Sequence, residues 1–350
     1  MKLSLKEFKL MMQIAFTYIG TIVGAGFATG REILQFFTQY GWSGTITIII
    51  ASGLFVWLGI KLMVIAYHTK TTSFEDLNIM LFGKNIGVGI TLFIILTLLV
   101  ISSVVLAGAG ALFSDFFHFP MQLGLLFTLL ITFFVISHGI KAIFMVNSIV
   151  VPIMFIFIGI VVFQSLTSSQ ATNFLHLDAE AHPFRVWLSP FLYTAFNLIL
   201  AQSLLVPIGA KIQNKSTIVG GGLIGGLGIG VLLFSIHLSL SSQMPLIAQF
   251  EIPMGYFTYS FHDILQVLFL LVIFLEILTT LIANIYGLTT QLNIKYDFPF
   301  RRTLSIVLLC CFLISQIGFS NLLSTLYPLI GFISCTWLLV LMFQSSRLAR

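Results

Sequence analysis

Charged residues are scarce in this 350-residue chain, and their scarcity decides its class. Only 8% of the residues are Asp, Glu, Lys or Arg, whereas 58% are hydrophobic. A soluble domain carries about 25% charged residues. The composition therefore excludes a soluble globular protein and predicts an integral protein of the lipid bilayer.

Cysteines and catalytic motifs are also sparse. The three cysteines, Cys310, Cys311 and Cys335, lie in apolar segments without a Cys-x-x-Cys pair, so neither a disulfide framework nor a thiolate metal site is expected. The sequence contains no H-E-x-x-H and no G-x-S-x-G motif. We therefore expect a protein that is not an enzyme.

Ten apolar segments are long enough to cross a bilayer, which takes about 20 helical residues. They cover about 9–38, 42–67, 86–113, 121–137, 143–164, 188–211, 217–240, 263–292, 303–318 and 321–345. The first and eighth are long enough to be tilted or broken. The chain thus reads as a single all-α transmembrane domain, 1–350, with ten transmembrane helices.

The basic residues predict the orientation. Ten spans place both termini on one side, and only Arg185 lies in the loops of the opposite side. The loops on the terminal side carry Lys2, Lys6, Lys9, Lys70, Lys84, Lys141, Lys211, Lys215, Lys295, Arg301, Arg302, Arg347 and Arg350. Positive loops face the cytoplasm, so both termini are expected there. This asymmetry accounts for the net charge, and no nucleic-acid partner is expected.

Three glycines, Gly24, Gly26 and Gly30, lie near the middle of the first span. Each weakens a helix by roughly 1 kcal/mol relative to Ala. Broken backbone at that depth survives only where it is buried in protein or lines a cavity, and secondary transporters bind ions and carboxylates at such half-helix ends. The alternative is that these glycines only allow a neighbouring helix to pack closely.

Two other segments carry structural predictions. The glycine-rich start of the seventh span, 220–230, follows no strand, so close helix packing is favoured over a nucleotide-binding loop. Residues 73–82 predict a short amphipathic helix at the interface, with Ser73 as N-cap and Phe74, Leu77 and Leu81 on one face.

Glu276 lies halfway along the eighth span, where an acid is costly and functional by default. Thr279 and Thr280 follow at positions i+3 and i+4, on the same helix face. These hard oxygen ligands suit a small cation or a proton. The alternative is a carboxyl that is protonated or hydrogen-bonded to a neighbouring helix and has no role in transport.

Other polar side chains have two interpretations each. Arg31 and Glu32, outward of the glycines, line the outer path as a gate or anchor the helix at the interface. Asn197 and Gln202 in the sixth span bind a polar ligand or bridge two helices. Weaker candidates, whose polar groups often bond to their own helix, are Ser102, Ser103 and Asn147.

The motifs VGAGFATGRE at 23–32, FNLILAQ at 196–202 and VPIG at 206–209 resemble those of the YkvI-type bacterial membrane proteins. The resemblance covers nearly the whole chain. This family is placed in the amino acid–polyamine–organocation superfamily, which has the LeuT-like fold. It implies two inverted five-helix repeats, about 9–164 and 188–345. The first and sixth spans would be broken near Val23–Phe27 and Ala195–Leu198 and would meet at the midplane.

The resemblance also implies a site. Its substrate-binding positions would be Val23, Gly24, Ala25, Gly26, Phe27, Ser103, Phe196, Asn197 and Gln202. Sodium-coupled relatives hold a cation with carbonyls of the first span and hydroxyls of the eighth, matched in position by Gly20, Val23, Thr279 and Thr280. Glu276, one turn away, departs from that pattern and leaves sodium and proton both open. No other cofactor is implied.

These expectations combine into a secondary transporter of the bacterial cytoplasmic membrane. Spans one, two, six and seven would rock against the remainder in alternating access. The substrate would be a small amino acid or related amine, coupled to sodium or protons. The alternative is a ligand-sensing receptor subunit that keeps the transporter fold without net transport.

Overall fold

The structure is a computed structural model that describes residues 5–117, 119–178, 183–250, 253–260, 263–316, 330 and 333–343. Its α-helices are α1 Leu5–Ile22, α2 Ala25–Ala28, α3 Arg31–Phe36, α4 Trp42–Thr69, α5 Phe74–Phe82, α6 Lys84–Phe117, α7 Met121–Ser137, α8 Ile140–Leu166, α9 Asn173–His176, α10 Pro183–Lys211, α11 Lys215–Ser241, α12 Asp263–Tyr296, α13 Phe300–Ser315 and α14 Ile333–Phe343. Short 3₁₀ segments occur at Thr38–Tyr40, Leu246–Gln249 and Pro253–Ser260.

The helices follow the predicted spans. The first span corresponds to α1–α3, and the second to ninth correspond to α4, α6, α7, α8, α10, α11, α12 and α13. Of the predicted tenth span, 321–345, α14 is described together with residue 330, and the remainder lies outside the described residues. Six helices of the described chain are long and apolar enough to cross a membrane, and α7 and α14 are shorter apolar helices.

The first span is interrupted where the sequence predicts. The amide of Val23 still donates to the Ile19 carbonyl at 2.7 Å, but Gly24 lies outside any helix and α2 forms only one turn. A second interruption follows at Gly30, whose φ of 75° favours glycine. These interruptions of the described backbone are consistent with the break predicted for this span.

The sixth span, in contrast, is continuous. α10 is helical throughout Pro183–Lys211, so the predicted interruption at Ala195–Leu198 is wrong. No glycine lies between Pro183 and the last turns of α10. The side-chain amides of Asn197 and Gln202 donate to main-chain carbonyls of the same helix. Asn197 donates to Tyr193 and Gln202 donates to Ile199, each at 2.9 Å. Both side-chain amides therefore bond within α10.

Four helices, α1, α4, α10 and α11, make the most extensive contacts of the fold. Glycines at intervals of four on α11, Gly222, Gly226 and Gly230, lie directly against α4. A Cβ at Gly226 would come within 2.7 Å of Val56 Cα. The predicted close-packing role of this glycine run is confirmed. A second set, α6, α7, α12 and α13, packs together, and α8 contacts α1, α11 and α12.

The predicted short helix between the second and third spans is α5, and its cap is confirmed. Ser73 Oγ accepts hydrogen bonds from the amides of Glu75 and Asp76. Ser73 also donates to Gln291 Oε1 at 2.8 Å, while Gln291 Nε2 donates to Glu75 Oε2 at 2.7 Å. Lys295 forms an ion pair with Glu75 at 3.1 Å. These bonds fix α5 to the last turns of α12.

Candidate substrate and ion site at the break of the first span

Two of the predicted coupling residues meet at the break. Thr280 Oγ1 of α12 donates to the Val23 carbonyl at 3.1 Å. A Cβ at Gly24 would come within 2.5 Å of the same hydroxyl oxygen, closer than real Cβ atoms come to other heavy atoms. The missing side chain of Gly24 therefore lets α12 reach the bare backbone where α1 ends. Phe27 of α2, three residues after Gly24, is fully buried.

Glu276 lies on the same face of α12 as Thr280. Its side chain is 4% exposed, and within the described part of the chain no hydrogen bond to its carboxylate occurs. Thr279 Oγ1 donates to the Glu276 main-chain carbonyl at 3.0 Å. Two more residues at helical spacing, Phe269 and Gly287, face α8 and α10 respectively. Glu276 therefore faces the protein interior.

Gly20 of α1 brings a further polar group to this region. A Cβ at Gly20 would overlap Asn147 Oδ1 of α8. Asn147 is 1% exposed, and its Nδ2 donates to the Ile143 carbonyl at 3.0 Å. Its Oδ1 has no hydrogen-bond partner within the described residues. From the sequence, Asn147 was one of the weaker candidates for a polar site. In the structure, its side chain lies against Gly20, which is a predicted ion ligand.

The gate residues occupy the other end of the break. Glu32 lies over the bare backbone of Gly26, because a Cβ there would overlap its carboxylate. Arg31 Nη1 donates to the Phe250 carbonyl at 3.2 Å. The Met254 amide donates to the Thr29 carbonyl at 2.9 Å. The segment before α12 is thus attached to the first span at the position predicted for an outer gate.

The sixth span contributes fewer residues than predicted. Phe196 is seven positions from Ser203, which lies against Gly287 of α12, so both share the α12 face. Gln202 is seven positions before Gly209, which lies against α4. Phe196 and Gln202 therefore face different helices and do not converge on one ligand.

Ser103 is also turned away from the break. Its hydroxyl donates to the Leu99 carbonyl at 2.7 Å, and Cys311 of α13 approaches the same carbonyl at 3.9 Å. Ser103 therefore lies at the contact between α6 and α13. Its predicted role in substrate binding has no support from this position.

A buried polar cluster around His237 is not indicated by any sequence motif. His237 of α11 is fully buried, with Nδ1 at 3.0 Å from Thr38 Oγ1 and Nε2 at 3.0 Å from Thr45 Oγ1. The partners lie 199 and 192 positions away in sequence, so no local spacing could have signalled the cluster. It ties α11 to the end of the first span and the start of the second.

Comparison with curated proteins identifies the family. The chain is 39% identical to the uncharacterized membrane protein YkvI of Bacillus subtilis over 326 residues, 93% of each chain. The chain belongs to the YkvI family. The uncharacterized protein YyaD of Bacillus subtilis is 25% identical over 324 residues, 93% of this chain and 94% of YyaD. No protein-family model matches the chain.

Solved structures share the fold of this YkvI family member. One is MhsT in complex with L-phenylalanine, with a TM-score of 0.71 and 15% identity over 97% of this chain and 90% of MhsT. Another is MHP1, a nucleobase-cation-symport-1 family transporter in a closed conformation with bromovinylhydantoin bound. It has a TM-score of 0.64 and 14% identity over 97% of this chain and 81% of MHP1. The chain is therefore an all-α membrane protein with the LeuT-like fold.

Proposed function

We propose that this protein is a secondary active transporter that works by alternating access. The observation that carries the proposal is the break at Gly24, where bare backbone of the first span meets the polar side chain of Thr280. Backbone irregularity at membrane depth is the hallmark of binding sites in secondary transporters. The fold shared with MHP1, which is named as a transporter, supports this proposal.

The proposed substrate is a small amino acid or a related amine. Amino-acid binding is stated for MhsT, whose structure contains L-phenylalanine. In the present chain, the carbonyl end of α1 and the amide end of α2 both open at Gly24. Such ends leave main-chain carbonyl acceptors and amide donors without partners inside the helices, which suits a ligand with an amine and a carboxylate. Phe196 would supply an apolar wall from α10.

The proposed motion follows the two packed sets. The closely packed helices α1, α4, α10 and α11 would rock as one body against α6, α7, α12 and α13. The contact between Val23 and Thr280 joins these two bodies. A ligand bound there would therefore respond to their relative position, as alternating access requires.

The test is uptake into proteoliposomes after a thermal-shift screen of the twenty amino acids and common amines. With sodium coupling, uptake depends on sodium, and Thr279→Val weakens that dependence. With proton coupling, uptake follows pH, and Glu276→Gln permits exchange but abolishes accumulation driven by a pH gradient. Thr132→Val is the matched control, because this buried threonine of α7 bonds its own helix.

Two outcomes count against the proposal. Ligand-induced stabilisation without uptake would favour a ligand-sensing receptor subunit. If Glu276→Gln and Thr279→Val each left uptake and its sodium and pH dependence unchanged, the predicted coupling residues would be structural only.

A further inference from the structure

The amide oxygen of Asn147 is buried and has no hydrogen-bond partner within the described residues. A buried polar atom without a hydrogen bond is unfavourable, and such atoms are rare in folded proteins. The residue is almost completely buried, and its Oδ1 lies directly over the backbone of Gly20. Glycine at position 20 is required for this approach, since any side chain would displace the amide.

Asn147 also lies at the depth of the hydroxyl pair on α12. The fifth and eighth spans run in opposite directions, and Phe157 of α8 contacts Phe269 of α12 with tilted rings whose centroids are 6.4 Å apart. Asn147 lies ten residues before Phe157 on α8, and Thr279 lies ten residues after Phe269 on α12. Because the two helices are antiparallel, both steps lead in the same direction. Both steps cover about 15 Å of helix. On α1, the contact of Asn147 at Gly20 and that of Thr280 at Gly24 are four residues, or about 6 Å, apart. Three elements, α1, α8 and α12, therefore bring oxygen atoms to within about one helical turn of each other.

We infer that Asn147 Oδ1 is a further ligand of the coupling cation and that this cation is sodium. The inference rests on the proposed transport function. The complete donor set would be the carbonyls of Gly20 and Val23, the hydroxyls of Thr279 and Thr280, and the amide of Asn147. All five donors are neutral oxygens, which suit a hard cation.

The chemistry of the amide separates sodium from a proton. A neutral amide oxygen coordinates a metal cation readily but does not take up a proton near neutral pH. The threonine hydroxyls keep free lone pairs while their protons are donated to the carbonyls of Val23 and Glu276. Asn147 thus adds an oxygen donor that can coordinate a metal cation but cannot itself carry the coupling proton.

The probe is sodium alone, with no substrate present. Thermal unfolding of the purified protein is followed as sodium chloride replaces choline chloride at constant ionic strength. Wild type should be stabilised by sodium with a defined midpoint. Asn147→Leu, which keeps the branched shape of the side chain but removes its amide oxygen, should raise that midpoint at least tenfold. Asn147→Asp, which adds a carboxylate, should lower it. Ser148→Ala is the control, because Ser148 bonds its own helix at the Phe144 carbonyl.

The possible results separate this inference from the proposed function. An unchanged sodium midpoint in Asn147→Leu and Asn147→Asp would overturn it and leave Asn147 a packing contact over Gly20. If Asn147→Leu does not fold, the sodium midpoint of Asn147→Asp is the test, and a value equal to that of wild type would overturn the inference. Absence of any sodium effect on wild type would overturn the inference, while pH-driven uptake would still support a proton-coupled transporter.

Discussion

Gly24 is the residue on which the contact between α1 and α12 depends. Gly24→Ala should abolish stabilisation by the transported ligand while the protein remains inserted, because the new Cβ would displace the Thr280 hydroxyl 2.5 Å away. Thermal shift with ligand, together with size-exclusion elution, measures both effects. Gly53→Ala is the control, since nothing lies within 4 Å of that position. It should retain ligand binding and stabilise α4 by about 1 kcal/mol. Ligand binding in Gly24→Ala equal to that of wild type would contradict this role.

Single residues were predictable where their chemistry is unusual for a membrane span. Glu276 stood out because acids are costly there, and Val23 and Thr280 were matched through the family pattern. Asn147 did not stand out, because an amide within a span most often bonds its own helix, and its Nδ2 does so. Only the fold shows that its other polar atom meets Gly20.

Among the described helices, α11 has the most glycines in close contact with neighbouring helices. Gly226→Ala should lower the unfolding temperature by several degrees, because its Cβ would contact the backbone of Val56 at 2.7 Å and separate α11 from α4. Differential scanning fluorimetry measures the shift. Gly89→Ala in α6 is the control. It adds the same methyl group at a position where nothing lies within 4 Å. Equal unfolding temperatures for the two variants would show that this glycine contact contributes nothing to stability.

Helix positions were predictable because apolar length alone marks a membrane span. Continuity was harder to predict. α1 breaks at Gly24, where glycine weakens the helix and Thr280 bonds the Val23 carbonyl left exposed there. α10 is continuous, and the chain has no glycine between Pro183 and the last turns of that helix. The family pattern predicted both breaks, but only one coincides with glycine in this chain.

For the chain as a whole, the distribution of basic residues predicts that both termini are cytoplasmic. Single cysteines at Ser169 or Gln249 should react with an impermeant maleimide in intact cells, and a cysteine at Gln213 should react only after lysis. All three positions are exposed. The background replaces the native Cys310, Cys311 and Cys335 by Ala. Labelling of Gln213→Cys in intact cells would reverse the topology. The division into two inverted repeats, about 9–164 and 188–345, stays a prediction.

The hydrogen bond from the Met254 amide to the Thr29 carbonyl has an evolutionary consequence. Both partners are main-chain groups, so almost any substitution at either position preserves the bond, and only proline at 254 removes the donor. The loop before α12 is therefore free to change its sequence between relatives while its attachment to the first span persists. Sequence divergence at Thr29 and Met254 among relatives would therefore leave this main-chain attachment intact.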